Sequence, residues 1–148
     1  MTDTTVSTSN LASPVVGSSI GTWVRDTGVA NWNRFAAVND EFMPIHMDDE
    51  AGRAAGLPGA IGMGNLVLSY LHGLVRSWTG AQGHVERLSV RFRKPNNKGR
   101  ITATGTVTAV VASAAITHVE IELHVVDAAG DDIAPGSATV VLYHRAEV

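Results

Sequence analysis

The chain has 148 residues, 45% of them hydrophobic and 17% charged, with a formal net charge of -3. That size and mix suit one domain with a sizeable core. With no cysteine and no basic block, the sequence excludes a disulfide framework, a thiolate metal site and non-specific nucleic-acid binding.

Residues 1 to 13 (MTDTTVSTSNLAS) are polar and Ser/Thr-rich, without the apolar run of a secretory signal. They are expected to form a flexible tail ahead of a domain over 14–148, in a cytoplasmic protein. Residues 15–25 suit a short strand, and Trp32 to Val38 a short helix. Pro44 fixes its own φ and biases Met43 away from helix, so an extended approach to His46 is expected. Residues 47–55 read as a second helix: Asp48 is placed to cap it, acids fill its first turn, and Gly56 and Pro58 end it.

The segment from Ile61 to Trp78 carries Leu66, Leu68, Leu71, Leu74 and Val75 at helical spacing, which predicts a core helix. Gly62, Gly64, Ser69 and Gly73 lower its propensity but permit close backbone approach. No stretch reaches the roughly 18 apolar residues of a membrane span. After Gly80–Gly83 the period changes to two. Leu88, Val90 and Phe92 alternate with Arg87, Ser89, Arg91 and Arg93. Ile101, Ala103, Gly105, Val107 and Ala109 alternate with threonines. Val119, Ile121, Leu123 and Val125 alternate with His118, Glu120, Glu122 and His124. Ala138, Val140 and Leu142 close the series. Such alternation predicts antiparallel strands with one buried face. A sheet that buries this face by curling around the long helix gives an α+β, single-domain hot-dog fold.

The chemistry concentrates in residues 35–50, FAAVNDEFMPIHMDDE. His46 follows a rigid Pro44-Ile45 step, with Asp40 and Glu41 six and five residues earlier. Imidazole and carboxylate on one loop can act as an acid/base pair. A single histidine is also often structural, and the scattered His72, His84, His118, His124 and His144 read as surface or interface residues.

This stretch resembles the signature of MaoC-like proteins, the (R)-specific enoyl-CoA hydratases and (3R)-hydroxyacyl-thioester dehydratases, which runs roughly [YF]-A-x-x-[ST]-G-D-x-N-P-I-H-x-D. Phe35-Ala36-Ala37-Val38 matches its start, and Pro44-Ile45-His46 with Asp48 matches its end. Ala60-Ile61-Gly62-Met63-Gly64 stands where the family has A-I-x-H-G-M. Ser77-Trp78-Thr79-Gly80 and Val90-Arg91-Phe92 match S-W-x-G and V-R-F. The resemblance covers about residues 20 to 110. Its departures include these: the family's glycine falls on Asp40, its catalytic aspartate on Glu41, its asparagine on Met43, and the histidine and methionine of its H-G-M element on Met63 and Asn65.

The resemblance implies hydration of a 2-enoyl thioester, or the reverse dehydration of a 3-hydroxyacyl thioester. His46 and Glu41 would be the catalytic pair, with Asp40 the neighbouring alternative to Glu41. Gly64 would offer its N–H to the thioester oxygen, and Met43 and Met63 would line the acyl site. Arg91, Arg93 and Lys94 would meet the phosphates of coenzyme A or a carrier arm, or else lie on a solvated strand face. No metal and no cofactor beyond that arm is implied. The expected assembly is a homodimer, or a heteromer with a second hot-dog subunit. Two other functions fit the same sequence. One is a non-catalytic subunit that shapes a partner's substrate tunnel, and the other a thioesterase or different lyase on this fold.

Overall fold

The period-two segments form one sheet. In a computed structural model, which describes residues 13–144, its strands are β1 (Ser19–Thr27), β2 (Gly83–Val90), β3 (Gly99–Ala112), β4 (Ile116–Asp127) and β5 (Gly136–Tyr143). They lie in the order β1-β3-β4-β5-β2, and every neighbouring pair is antiparallel. The helices are α1 (Val29–Asn39), α2 (Pro44–Met47), α3 (Asp49–Ala54) and α4 (Gly64–Thr79). The expected tail over 1–13 falls outside the described residues except for Ser13, as do residues 145–148 of the expected domain.

The sheet curls around α4, which touches all five strands. Val67, Leu71, Leu74 and Val75 of the helix pack against Ile101, Ala103, Val107, Val119, Ile121, Leu123, Val125, Ala138 and Val140. Close approach depends on small residues: a Cβ on Gly73 would sit 2.5 Å from the Trp23 ring. A smaller cluster of Trp32, Ala36, Ala60, Met63 and Leu66 joins α1 to the first turn of α4. Among the described residues, no helix is long and apolar enough to cross a membrane.

The structure moves several expected boundaries, each for a physical reason. The central helix starts at Gly64, not Ile61, because an antiparallel bridge from Gly62 to Asn96 holds the preceding segment extended through Met63; Gly62 N–H donates to the Asn96 carbonyl at 2.7 Å and Ile61 N–H to that of Ile45 at 3.0 Å. β2 stops at Val90, short of Arg93. Beyond it, Arg91 N–H donates to the Pro135 carbonyl and Arg93 N–H to that of Ile133, both at 2.9 Å. A register shift between Val107 and Ala109 turns Val110, rather than Ala109, toward the core. The strand expected within 15–25 runs from Ser19 and continues to Thr27. Pro44 opens a one-turn helix, so only Met43 keeps the extended geometry expected ahead of His46.

Candidate active site

His46 lies within the single turn of α2 and is 7% exposed. Two neighbours fix where that turn sits. Asp48 caps α3, accepting the Glu50 and Ala51 N–H groups at 3.1 and 3.4 Å, and the Ile45–Ile61 backbone bond ties α2 to the segment entering α4. The imidazole completes the tie, with Nδ1 2.8 Å from the Ile61 carbonyl oxygen. A carbonyl can only accept, so Nδ1 carries the proton and Nε2 of the neutral ring presents its lone pair. Nε2 has no hydrogen-bond partner among the described residues and is not sealed from solvent.

His46 opens into a cavity of about 350 Å³ whose walls include Gly62, Gly64, Val67, Phe92, Arg93, Lys94, Asn96, Ile133 and Ala134. Gly64 is the first residue of the 16-residue α4, and no side chain caps that helix end. Its N–H has no acceptor among the described residues. The helix end therefore offers unpaired donors and the positive end of the helix dipole to the cavity. A Cβ on Gly64 would meet the Phe92 ring at 2.9 Å, so the glycine lets that ring lie directly against the helix start. Arg93 and Lys94 add positive charge, and Lys94 Nζ pairs with Asp131 at 2.8 Å.

The other expected site residues are placed differently. Glu41 is half-buried just past α1 and does not line the cavity; its N–H donates to the Ala36 carbonyl at 3.2 Å. Met43 is half exposed, outside the lining. Met63 is fully buried against Trp32 and Leu66, where it serves packing. Arg91 is exposed and stands apart from Arg93 and Lys94 on the cavity wall. Asp40 ends α1 with φ 54°, a left-handed conformation that favours glycine. This explains why a glycine suits the position, and it supports the register that places Glu41 next in line.

Sequence reading missed Asn96, Phe92 and the Ile133–Ala134 wall. Asn96 is buried, lines the cavity, and leaves Oδ1 without a partner among the described residues. Such a group costs about 1–3 kcal/mol. A wider hollow lies on the outer face of the sheet, lined by Glu86, Arg87, Val111, His118, Glu120 and Thr139. It is the more open of the two, and among the described residues no helix lines it. Among the described residues, no group of three or more His, Asp or Glu side chains is arranged to hold a metal ion.

The model of the MaoC-like domain matches residues 12–128. The chain belongs to the MaoC-like family. Solved structures similar to this MaoC-like domain include an (R)-hydratase from A. caviae involved in PHA biosynthesis, at 25% identity and TM-score 0.77, covering 86% of this chain and 96% of that one. The ChsH1-ChsH2 complex from Mycobacterium tuberculosis is similar at 17% identity and TM-score 0.77, covering 86% and 98%. A MaoC-like dehydratase from Rhodospirillum rubrum aligns at 21% identity and TM-score 0.76, covering 90% and 95%. No curated protein sequence matches the chain.

One wall of the cavity in this MaoC-like domain adjoins a histidine–aspartate pair. His124 Nδ1 lies 2.7 Å from Asp132 Oδ2, beside Ile133 and Ala134. The hydrogen bond to Asp132 raises the His124 pKa above its ordinary 6.5, against a smaller opposing effect of burial, with the charges of Asp132 and Glu122 helping. A raised histidine pKa means stability that is fully present below about 6.5 and lost as pH rises through the folded value. Thermal melts between pH 6 and 8 should therefore show a falling midpoint, and His124→Gln should flatten that slope. An equal slope in the variant would refute the assignment.

Proposed function

We propose that this chain is a hydratase/dehydratase acting on an acyl thioester, interconverting a 2-enoyl and a 3-hydroxyacyl group carried on coenzyme A or an acyl-carrier arm. The observation that carries the reading is the His46 ring. Its Nδ1–H is held by Ile61, and its Nε2 is free toward a cavity shared with the N-terminus of α4. In hydration, the thioester oxygen takes the Gly64 N–H, which stabilises the negative charge that develops there. His46 Nε2 removes a proton from water as its oxygen bonds to the β-carbon, and the imidazolium so formed gives that proton to the α-carbon, which returns His46 to its neutral state. Glu41 is the carboxylate proposed to share that water, although His46 alone reaches the cavity. Arg93 and Lys94, with Arg91 further out, suit the phosphates of the carrier arm. The (R)-hydratase named among the similar structures supports this chemistry.

A second reading is favoured by one feature: among the described residues, no carboxylate lines the cavity. In that reading the chain is one subunit of a heteromer whose partner supplies catalysis, and the similar ChsH1-ChsH2 complex is an assembly of two named components. In either case we place a second hot-dog subunit across the open side of the cleft, in a cytoplasmic enzyme of acyl-thioester metabolism. The test is the purified chain with crotonyl-CoA, following loss of the enoyl absorbance and release of free thiol. Hydration without thiol release is expected. A silent chain that gains activity with a co-encoded hot-dog protein establishes the second reading, and thiol release without hydration overturns both.

A further inference from the structure

The peptide that joins Ile61 to Gly62 is gripped from both sides. Its carbonyl accepts His46 Nδ1–H at 2.8 Å, and its N–H donates to the Asn96 carbonyl at 2.7 Å. A peptide group that donates at one end is a stronger acceptor at the other. Asn96 is held in turn by its own side chain. Its Nδ2 donates to Thr27 Oγ1 at 3.3 Å, and Thr27 Oγ1 also receives the Trp32 Nε1–H at 2.7 Å. Trp32, Thr27 and Asn96 are all nearly sealed from solvent. The fit is close: a Cβ on Gly62 would sit 2.4 Å from Asn96 Nδ2 and 2.6 Å from Trp32 Nε1. An apolar side chain of similar size at 96 would avoid leaving Oδ1 unpartnered. The amide therefore needs a reason to be there beyond packing.

We infer that Asn96, anchored by Thr27 and Trp32, is a positioning residue that acts through the Ile61–Gly62 peptide to hold His46 in its Nδ1–H tautomer, with Nε2 facing the cavity. Free imidazole samples both tautomers, and only this one leaves Nε2 able to accept a proton. The catalytic consequence rests on the hydratase reading; the tautomer itself does not.

Nitrogen-15 NMR of histidine-labelled protein reads the tautomer without substrate. The wild-type chain should show His46 as one tautomer, with Nδ1 protonated. Asn96→Leu, which is close in size and removes the unpartnered oxygen, should melt at or near the wild-type temperature yet show both tautomers. If Asn96→Leu fails to fold, Thr27→Val tests the same hold from one link further away. Thr79→Val serves as control: it removes another buried threonine hydroxyl, which bonds the Val75 carbonyl at 2.8 Å, and should leave His46 unchanged. In turnover, Asn96→Leu should lower kcat about tenfold with KM within about twofold, as expected of a misplaced base. A single Nδ1–H tautomer in Asn96→Leu and Thr27→Val overturns the proposal, whatever the turnover. A mixed tautomer upholds it even if the wild-type chain hydrates nothing, and in that case the hydratase reading alone fails.

Discussion

His46→Ala is expected to lower hydration of a 2-enoyl thioester by roughly 10²–10⁴-fold, the loss that follows removal of a positioned acid/base group. The fold should survive. The side chain contributes one hydrogen bond, to the Ile61 carbonyl, and losing it costs about 1–3 kcal/mol of stability. Circular dichroism should keep the wild-type spectrum with a lowered midpoint. The neighbouring carboxylates rank behind the histidine. Glu41→Gln should slow turnover if Glu41 shares the water, but by less than His46→Ala, because Glu41 stands outside the cavity wall. Asp40→Asn should matter least. Its contribution is a left-handed backbone at the end of α1, and asparagine adopts that conformation readily. If Asp40→Asn is crippling and Glu41→Gln mild, the carboxylate assignment is wrong and the reaction class stands. Full activity in His46→Ala would remove the acid/base reading itself.

The strands and the central helix were legible because burial imposes a strict period. β4 shows this best: Thr117, Val119, Ile121, Leu123 and Val125 are all buried, and the four last of these were expected from alternation alone. The errors came where something other than burial decides. At Val107–Ala109 an extra residue shifts the register, and nothing in a run of Thr, Val and Ala marks where. At Ile61–Met63 the hydrophobic pattern continues, but a bridge from Gly62 to Asn96, distant in sequence, holds the segment extended. The site divides the same way. His46 stood out because Pro44 fixes the chain just before it, and Gly64 because it falls on the helix-start element of the resemblance; both line the cavity. Asn96 was hidden because a polar residue in a Pro-Asn-Asn-Lys-Gly turn is ordinarily solvated; only the tertiary bridge to Gly62 buries it. Met63 replaces a polar family residue, which made it a site candidate. The structure shows it completing a core cluster with Trp32, a role that depends on how α1 docks.

Gly52→Ala should be among the most damaging single-methyl additions in the chain. Gly52 lies in α3, where helix propensity by itself would make alanine about 1 kcal/mol better than glycine. Sterics reverse the sign. A Cβ at 52 would lie 2.0 Å from the Gly59 carbonyl oxygen and 2.7 Å from the Ala60 nitrogen. These are backbone atoms with no rotamer to change, so the helix and the 59–60 segment must move apart. Overpacking of this kind costs about 3 kcal/mol, leaving a net loss of about 2 kcal/mol. For a domain of this size that lowers the melting midpoint by about 4–8 °C. The displacement also reaches the site. Asp49, on the same helix, accepts the Ala60 N–H at 2.9 Å and pairs with Lys98 at 2.7 Å, contacts that hold its carboxyl below the usual pKa, the Lys98 hydrogen bond most of all. Separating α3 from this segment weakens the grip on Ala60, and the next residue, Ile61, is the one whose carbonyl orients His46. Gly52→Ala should therefore lose turnover even at temperatures where it is fully folded. Ala54→Gly, on the exposed side of α3, should lose about 1 kcal/mol and keep its turnover. If Gly52→Ala melts above the wild-type chain, propensity has won, and the close packing of α3 on the approach to the active site is not what holds Ile61 in place.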